Sequence, residues 1–157
     1  MAAAFLYDLS ELDLNKITIP IEDIRKVNPH RHEMEQLSGI IHVDMPRTIV
    51  VGVKHVTMEE FWVRGHIPGR PLMPGVIILE AAAQLCSYMT HVLVPDMGFL
   101  GFVKADNTRF RGVVSPPSTL YLIARMSELS RRRVIAQCQG ICNNTLVFES
   151  DITGMPV

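Results

Sequence analysis

The spacing of apolar positions along the chain predicts a pair of strands followed by one long helix. Residues 40–56 are mostly apolar and β-branched, and the turn-forming stretch at 44–47 interrupts them, which indicates two strands around a turn. From Gly75 to about Leu93 the chain is rich in Ala, Leu and Ile, and Pro95 follows, so we expect one helix that ends there. Because this helix is apolar on nearly all sides, it should lie inside the protein.

The C-terminal part of the chain is β-rich. Residues 99–154 alternate β-branched runs with turn signals, and the Asn143-Asn144 pair is typical of a hairpin turn. Together with the two earlier strands, these runs predict an antiparallel sheet wrapped around the long helix, which is an α+β fold. A chain of 157 residues without repeats or linkers suits one domain, so we assign residues 1–157 to a single domain.

Three short segments complete the predicted order of elements. Residues 20–24 begin with Pro and have acidic residues in the first turn, which predicts a short helix that stops before Pro29. Thr57 and Glu60 have the spacing of a capping box, which predicts a short helical turn. Residues 1–19 are expected to form a poorly specified N-terminal arm.

Composition and charge exclude several classes of protein. The formal net charge is −1, whereas a nucleic-acid-binding domain is expected to be strongly basic. The most apolar window, 76–85, is too short to span a bilayer and contains Glu80 and Gln84. Acidic residues soon after the N-terminus do not fit a signal or transit peptide. We therefore expect a soluble, cytoplasmic protein without a membrane span.

The three cysteines do not resemble a disulfide framework, because their number is odd and their spacing is sparse. Cys138 and Cys142 would lie about 13 Å apart along one strand, which is too far for a disulfide bond. We expect these two residues and Cys86 to pack in the core as free thiols, which fits a reducing cytoplasmic compartment.

The segment from 61 to 84 carries the candidate chemistry. His66 lies in a loop rich in Gly and Pro, a helix N-terminus follows at Gly75, and Glu80 is a single carboxylate inside an otherwise apolar helix. A His is the usual general base near neutral pH, and a carboxyl group in apolar surroundings can hold a proton. A free backbone N–H at a helix start can stabilise an oxyanion. Taken singly, a loop His or a helix Glu is more often structural, but together these groups suit proton abstraction next to a carbonyl with expulsion of a hydroxyl group.

The spacing within this segment carries a resemblance to a known family. The residues concerned are Gly65, His66, Pro68, Pro71, Pro74, Gly75, Val76, Glu80, Ala81 and Gln84. In that order and without gaps they closely resemble the signature of the FabZ-type 3-hydroxyacyl-[acyl-carrier-protein] dehydratases. The resemblance extends to Pro29-His30-Arg31 and to the Phe-x₃-Asp-x₂-Arg-Phe pattern at 102–110, so that it covers residues 20–154.

What the resemblance implies is a hot-dog fold, a dimer that joins two sheets, and a reaction that needs neither metal nor cofactor. It implies His66 as the general base and Glu80, from the other subunit, as the general acid. The Gly75 N–H would be the oxyanion donor, the Leu72 carbonyl would orient His66, and Gln84 would hydrogen-bond the Glu80 carboxyl group. The implied reaction is dehydration of a (3R)-3-hydroxyacyl-acyl-carrier-protein to the trans-2-enoyl product in fatty acid biosynthesis. The related dehydratase–isomerase branch fits less well, because it has Asp at the position of Glu80.

The expected partners are an acyl carrier protein bearing a 3-hydroxyacyl chain and further copies of this chain, as a homodimer or a trimer of dimers. An acidic carrier would dock on basic side chains. The candidates are Arg64, Arg70, Lys104, Arg111, Arg131, Arg132 and Arg133. The last three also suit an ordinary solvated turn between strands. His30 and His32 form a His-x-His pair, but a metal site needs more ligands, and we expect none.

Departures from the family pattern leave two other functions open. Residues 32–38 are polar and helix-like where the family has an apolar strand, Ile67 replaces a Phe, and residues 116–118 replace a Pro-Gly-Asp turn. These changes are compatible with a non-catalytic acyl-binding protein on the same scaffold. An acyl-thioester hydrolase is the other alternative, although such enzymes usually lack this His loop. The presence of both His66 and Glu80 favours the dehydratase.

Overall fold

A computed structural model describes residues 4–157, which contain one long helix and one antiparallel sheet. The elements in chain order are β1 (Ile19–Pro20), α1 (Ile21–Ile24), β2 (Gly39–Asp44), β3 (Ile49–Val56), α2 (Gly75–Leu93), β4 (Leu100–Phe110), β5 (Ser118–Leu129), β6 (Val134–Cys142) and β7 (Thr145–Pro156). Short 3₁₀ helices lie at Leu9–Glu11 and His32–Met34. The α+β class expected from the sequence is confirmed.

The sheet has the strand order β1-β2-β3-β5-β6-β7-β4, and all neighbouring strands are antiparallel. Strand β4 follows α2 in the chain but pairs with β7 at the far side of the sheet. The edges of the sheet are therefore β1 and β4. Strand β1 has only two residues, whereas β4 has eleven and presents a long unpaired edge.

Helix α2 lies across one face of the sheet and forms the centre of the main core. It begins at Gly75 and ends at Leu93, as the apolar run and Pro95 predict. Ala81 and Leu85 are completely buried where the helix packs against the strands. By length and composition α2 could cross a membrane, but half of its most apolar stretch is buried against the sheet, as in the core helix of a globular fold.

The N-terminal arm is ordered over its described part, which corrects the expectation of a poorly specified segment. Tyr7 and Leu9 are buried on the outer face of the sheet, the face opposite α2. The Leu6 N–H donates to Gln139 Oε1 at 2.7 Å. The outer face of the sheet is apolar, with Val51 among its fully buried residues. Packing of the arm on this face therefore removes apolar surface of both the arm and the sheet from water. Residues 1–3 lie outside the described part of the arm.

The shorter predicted elements are mostly present. Helix α1 follows Pro20, and the strands β2 and β3 flank the turn at 44–47. Asn143 and Asn144 both have positive φ, which a tight hairpin turn requires. The predicted helical turn at Thr57 is wrong, because the chain forms hydrogen-bonded turns there and no helix. The Thr57 Oγ1 accepts from the Glu59 N–H at 3.3 Å, so the side chain stabilises a turn rather than a helix start.

All three cysteines are buried free thiols, which confirms their expected place in the core. The neighbouring pair is Cys86 on α2 and Cys138 on β6, whose Sγ atoms lie 3.3 Å apart. The hydrogen bond with Cys86, together with burial, raises the pKa of the Cys138 thiol well above its ordinary value. This thiol is therefore protonated and unreactive at neutral pH.

Candidate active site

The loop before α2 holds the His66 side chain through contacts with nearby residues. The backbone N–H of His66 donates to the Trp62 carbonyl at 2.8 Å. The side-chain Nδ1 of His66 lies 3.0 Å from the Leu72 carbonyl oxygen. Because a carbonyl oxygen can only accept, Nδ1 must carry the hydrogen in this contact. The Nε2 atom then carries a lone pair, which is the form in which an imidazole acts as a base.

The same loop contains a strained residue next to His66. Ile67 has a φ of 58°, in the left-handed region that β-branched side chains rarely adopt. The loop is held by the donation of the Met73 N–H to the Val114 carbonyl at 2.7 Å. Strain of this kind persists where the surrounding structure imposes it, and it is common at functional sites.

Helix α2 begins directly after this loop, at the predicted oxyanion donor. Pro74 is the N-cap residue and makes no side-chain capping bond; the Ile77 N–H donates to the Pro74 carbonyl, whereas the first N–H groups of the helix, at Gly75 and Val76, have no earlier helical carbonyl to reach. Gly75 is closely covered by Phe110, since a Cβ atom at this position would lie 2.8 Å from the Phe110 Cε1. A larger residue at this position would force the Phe110 ring or the helix start to move.

Glu80 lies one and a half turns into α2, with its side chain partly exposed. Its Oε1 accepts from the Gln84 Nε2 at 2.9 Å. The His30 Nε2 lies 3.4 Å from the same oxygen, and each of these two side chains, His30 and Glu80, is 27% exposed. The apolar neighbours along the helix are present as the sequence predicts, but the carboxyl group itself has polar partners.

Gln84 is held on both sides by the backbone of the preceding segment. Its Oε1 accepts from the Gln36 N–H at 2.9 Å. Its Nε2 donates to the Met34 carbonyl at 2.6 Å. Because a backbone N–H can only donate and a carbonyl can only accept, the orientation of the amide is determined. The Glu80 Oε1 is therefore an acceptor in its bond with Gln84.

Sequence reasoning found Glu80 and Gln84 but missed His30. The residue lies 50 positions before Glu80 in the chain, and from the sequence it was considered only as part of the Pro29-His30-Arg31 motif and of a His-x-His pair. The motif could have served as a signal, because it is part of the family resemblance. It was passed over because the candidate chemistry was sought in the segment at 61–84. The polar segment at 32–38, noted as a departure from the family pattern, contains the backbone groups that hold Gln84.

A cavity of about 460 Å³ opens beside Glu80. Its polar lining includes the group of His30, Glu80 and Gln84, and also Ser87, His91 and Thr153. Its apolar wall comes from α2, the start of β4 and the inner face of β6 and β7, and includes Val27, Ala83, Leu100, Phe102, Val134 and Ile152. A mostly apolar cavity with a few convergent polar groups is the usual form of a small-molecule site.

The two predicted catalytic residues do not both line this cavity within one chain. Over residues 4–157, the side chains that line this cavity include Glu80 but not His66. The resemblance had implied that the acid comes from the other subunit, and the separation is compatible with that arrangement. Within the described chain, no group of three or more His, Cys, Asp or Glu side chains is placed to hold a metal ion.

The seven predicted docking residues lie on three segments. Arg64 and Arg70 are exposed in the His66 loop, and Arg132 is exposed in the turn between β5 and β6. The other four form ion pairs with acidic neighbours: Lys104 with Asp106, Arg111 with Glu149, Arg131 with Asp96, and Arg133 with Glu128. The exposed pair in the His66 loop is the one that lies beside the candidate base.

Comparison with solved structures supports the hot-dog fold. The dehydratase heterocomplex ApeI:P from Xenorhabdus doucetiae matches with a TM-score of 0.69 at 13% identity, over 85% of this chain and 90% of that chain. A hypothetical thioesterase with coenzyme A from Streptococcus pneumoniae matches with a TM-score of 0.64 at 9% identity, over 87% of this chain and 96% of that chain. Proteins with different chemistry share this fold, so the fold alone does not decide the reaction.

Comparison of sequences is more specific. The family model for the FabA-like domain matches residues 28–151. The 3-hydroxyacyl-[acyl-carrier-protein] dehydratase FabZ of Xanthomonas campestris is 33% identical over 140 residues, which cover 87% of this chain and 92% of the relative. The FabZ of Clostridioides difficile is 32% identical over 133 residues, which cover 84% of this chain and 93% of the relative. The chain therefore belongs to the FabZ-type 3-hydroxyacyl-[acyl-carrier-protein] dehydratases, a family of hydro-lyases with the hot-dog fold.

Proposed function

We propose that this protein dehydrates (3R)-3-hydroxyacyl-acyl-carrier-protein to the trans-2-enoyl thioester in fatty acid biosynthesis, with His66 as the base and Glu80 as the acid. The observation that carries the proposal is the contact of the His66 Nδ1 with the Leu72 carbonyl oxygen at 3.0 Å. In the neutral ring this contact places the hydrogen on Nδ1 and the lone pair on Nε2, where it can accept a proton. Family membership supplies the substrate class, and the apolar cavity beside Glu80 offers room for an acyl chain.

The reaction divides between three groups. The thioester carbonyl accepts a hydrogen bond from the Gly75 N–H, which stabilises the negative charge that develops on its oxygen. His66 takes a proton from C2, and the electron pair of that C–H bond forms the double bond to C3. The C3–O bond breaks as Glu80 gives its proton to the hydroxyl group, which leaves as water. The same groups run hydration in the reverse direction.

The acid and the base act from different subunits of a homodimer. Strand β4 has a long unpaired edge, and its neighbourhood exposes large apolar side chains, among them Phe102, Val103 and Phe110. An exposed apolar edge strand favours pairing with a second sheet. Such pairing would bring the His66 loop of one subunit towards the partner's Glu80. Assembly of three dimers into a hexamer remains the larger alternative.

A mixing experiment tests both the residues and the dimer. Hydration of a trans-2-enoyl-acyl-carrier-protein is followed by loss of enoyl absorbance. We expect His66→Ala and Glu80→Gln to be inactive separately, whereas His55→Ala and Glu59→Gln, which change exposed side chains, should keep wild-type rates. After the two inactive variants are unfolded and refolded together in equal amounts, about a quarter of the wild-type activity should return, since half of the dimers are mixed and each has one intact site.

The outcomes separate the competing functions. Activity of either single variant would contradict its assigned role, and no recovery on mixing would place both residues in one subunit. Release of a free thiol instead of loss of the enoyl absorbance would identify an acyl-thioester hydrolase. A folded wild-type protein that binds acyl thioesters of all chain lengths without turnover would be an acyl-binding protein.

The carrier protein docks beside the His66 loop in this proposal. Arg64 and Arg70 are exposed there, and opposite charge on the carrier would steer its approach. We expect the affinity for the carrier to fall with rising ionic strength, and Arg64→Ala with Arg70→Ala to reduce this dependence. An affinity that does not change with ionic strength would contradict electrostatic docking.

The reducing cytoplasm is the compartment that suits the three free thiols.

A further inference from the structure

His30 is the one titratable side chain that approaches Glu80 from another part of the chain within residues 4–157. Its Nε2 lies 3.4 Å from the Glu80 Oε1, and both side chains face the same cavity. Its Nδ1 is buried and has no hydrogen-bond partner in the described part of the chain. The proposed reaction assigns no role to this residue.

We propose that His30 is a positioning residue for the general acid. His30 and Gln84 both approach the Glu80 Oε1, which leaves Oε2 as the oxygen that carries the proton to the substrate. The inference rests on the proposed function, because it presumes that Glu80 is the acid.

The hydrogen-bond pattern determines which oxygen carries the proton. Gln84 donates to Oε1, because the backbone groups of Gln36 and Met34 fix its amide orientation. A proton on Oε1 would face that N–H group and would have no acceptor there. The proton of the acid form therefore lies on Oε2.

The His30 ring has a preferred tautomer in this environment. The Nδ1 atom lacks a partner in either tautomer, so the preference is set at Nε2, where a lone pair would face the lone pairs of the Glu80 Oε1. A hydrogen on Nε2 instead points towards the Glu80 Oε1. The distance of 3.4 Å is longer than a formed N–H···O bond, but catalytic contacts in free enzymes are often long and tighten when substrate binds.

The backbone around His30 is anchored to the helix that carries Glu80. The Asn28 Nδ2 donates to the Gln84 carbonyl at 2.8 Å. The Arg31 guanidinium donates to the carbonyls of Asn28 and His30 at 2.9 and 2.6 Å. The Asn28 bond ties the segment to α2 just before His30, and the Arg31 bonds brace the backbone of the segment itself, so the fold sets the approach of the imidazole to Glu80.

The test compares three replacements at position 30 in the enoyl-hydration assay. His30→Phe removes the donor and keeps the ring volume, so kcat should fall about 10- to 100-fold, in line with the usual cost of a misplaced catalytic group. The KM should change less than about 3-fold, because Glu80 acts on the reacting atoms and not on ground-state binding. His30→Gln places an N–H near the position of Nε2 and should recover most of kcat. His30→Asn, whose amide is too short to reach Oε1, should not.

Matched controls separate positioning from a structural role. His32→Ala changes an exposed histidine two residues away and should leave kcat unchanged. If His30→Phe fails to fold in a circular dichroism melt, the Gln and Asn variants decide the question by themselves.

Each possible result has a definite meaning. If Glu80→Gln is fully active, the proposed function fails and His30 has no acid to position. If Glu80→Gln is inactive but His30→Phe keeps the wild-type kcat, only the inference about His30 is overturned. A higher KM with an unchanged kcat would show that His30 binds substrate, and equal loss in the Gln and Asn variants would show that an N–H at this place is not what matters.

Discussion

The His66 loop and the surroundings of Glu80 are held in different ways. His66 contacts the Trp62 and Leu72 carbonyls, which lie four and six positions away in the chain. Gln84, which holds Glu80, contacts Gln36 and Met34 at separations of 48 and 50 residues. The base is therefore positioned mainly by bonds within its own loop, which the bond from Met73 to Val114 ties to the segment after β4, whereas the acid is positioned by the docking of a distant segment. Changes near the acid should disturb the fold as well as the chemistry, and changes near the base should act mostly on the site.

The largest effect is expected at Gln84. Replacement by Leu removes the donor to Glu80 and leaves the buried Gln36 N–H and the Met34 carbonyl without partners. An unsatisfied buried group costs about 1–3 kcal/mol, and Gln36 is buried whereas Met34 is half-exposed, so the free energy of unfolding should fall by about 1–3 kcal/mol. The kcat should fall at least about 10-fold, since the carboxyl group loses its fixed orientation. Urea denaturation and enoyl hydration measure the two losses.

Ser87→Ala is the control for Gln84→Leu. Ser87 lies on the same helix and lines the same cavity, but its side chain makes no hydrogen bond within residues 4–157. We expect this variant to keep the free energy of unfolding of the wild type, because no hydrogen bond is lost. If Gln84→Leu lost activity without losing stability, the docking of the segment at 28–36 would not depend on Gln84. The contrast between the His66 loop and the surroundings of Glu80 would then fail.

A smaller effect is expected at Gly75, which follows the His66 loop at the start of α2. The Cβ of Gly75→Ala would lie 2.8 Å from the Phe110 Cε1, so the ring or the helix start must move. Because Phe110 is half-exposed, its ring can move, and the cost should lie near about 1 kcal/mol, at the low end for overpacking. The kcat should fall if the first N–H of α2 is displaced. Thermal melts and single-turnover kinetics would show both changes.

Gly65→Ala is the matched control, because it lies next to His66 and no heavy atom lies within 4 Å of the added Cβ. It should leave stability and kcat close to wild type. If both alanine variants reduced kcat equally, the loss at Gly75 would come from any added methyl group near the His66 loop and not from the contact with Phe110.

The same division explains what the sequence could predict. Helix α2, its end near Pro95 and the loop with His66 follow from local signals, because prolines, glycines and apolar spacing act over a few residues. The ordered arm was missed because its partner surface is formed far away in the chain, as the bond between Leu6 and Gln139 shows with a separation of 133 residues. His30 was missed for the same reason. Neither contact has a periodic or spacing signal in the sequence.

The smallest effect is expected at Glu35, which ties the segment at 28–36 to α1. The bidentate hydrogen bond from Arg25, with distances of 2.6 and 2.8 Å, holds the pKa of Glu35 below its ordinary value of 4.5. A carboxyl group whose folded pKa is lowered adds stability above its unfolded pKa, and that stability is lost as the pH falls through the folded pKa. Because Arg25 is 42% exposed, Glu35→Gln should lower Tm at pH 7 by no more than about 4 °C.

The pH dependence of this variant distinguishes an ion pair from a packing effect. The difference in Tm between wild type and Glu35→Gln should shrink as the pH falls below the ordinary carboxyl range, because the wild-type carboxylate then takes up a proton and loses its attraction to Arg25. Asp23→Asn breaks the more exposed pair with Lys26 and should leave Tm unchanged. A Tm difference for Glu35→Gln that stayed constant down to pH 3 would mean that the neutral side chain packs badly. The segment that holds the acid would then be fixed by Gln84 and Asn28, without help from charge.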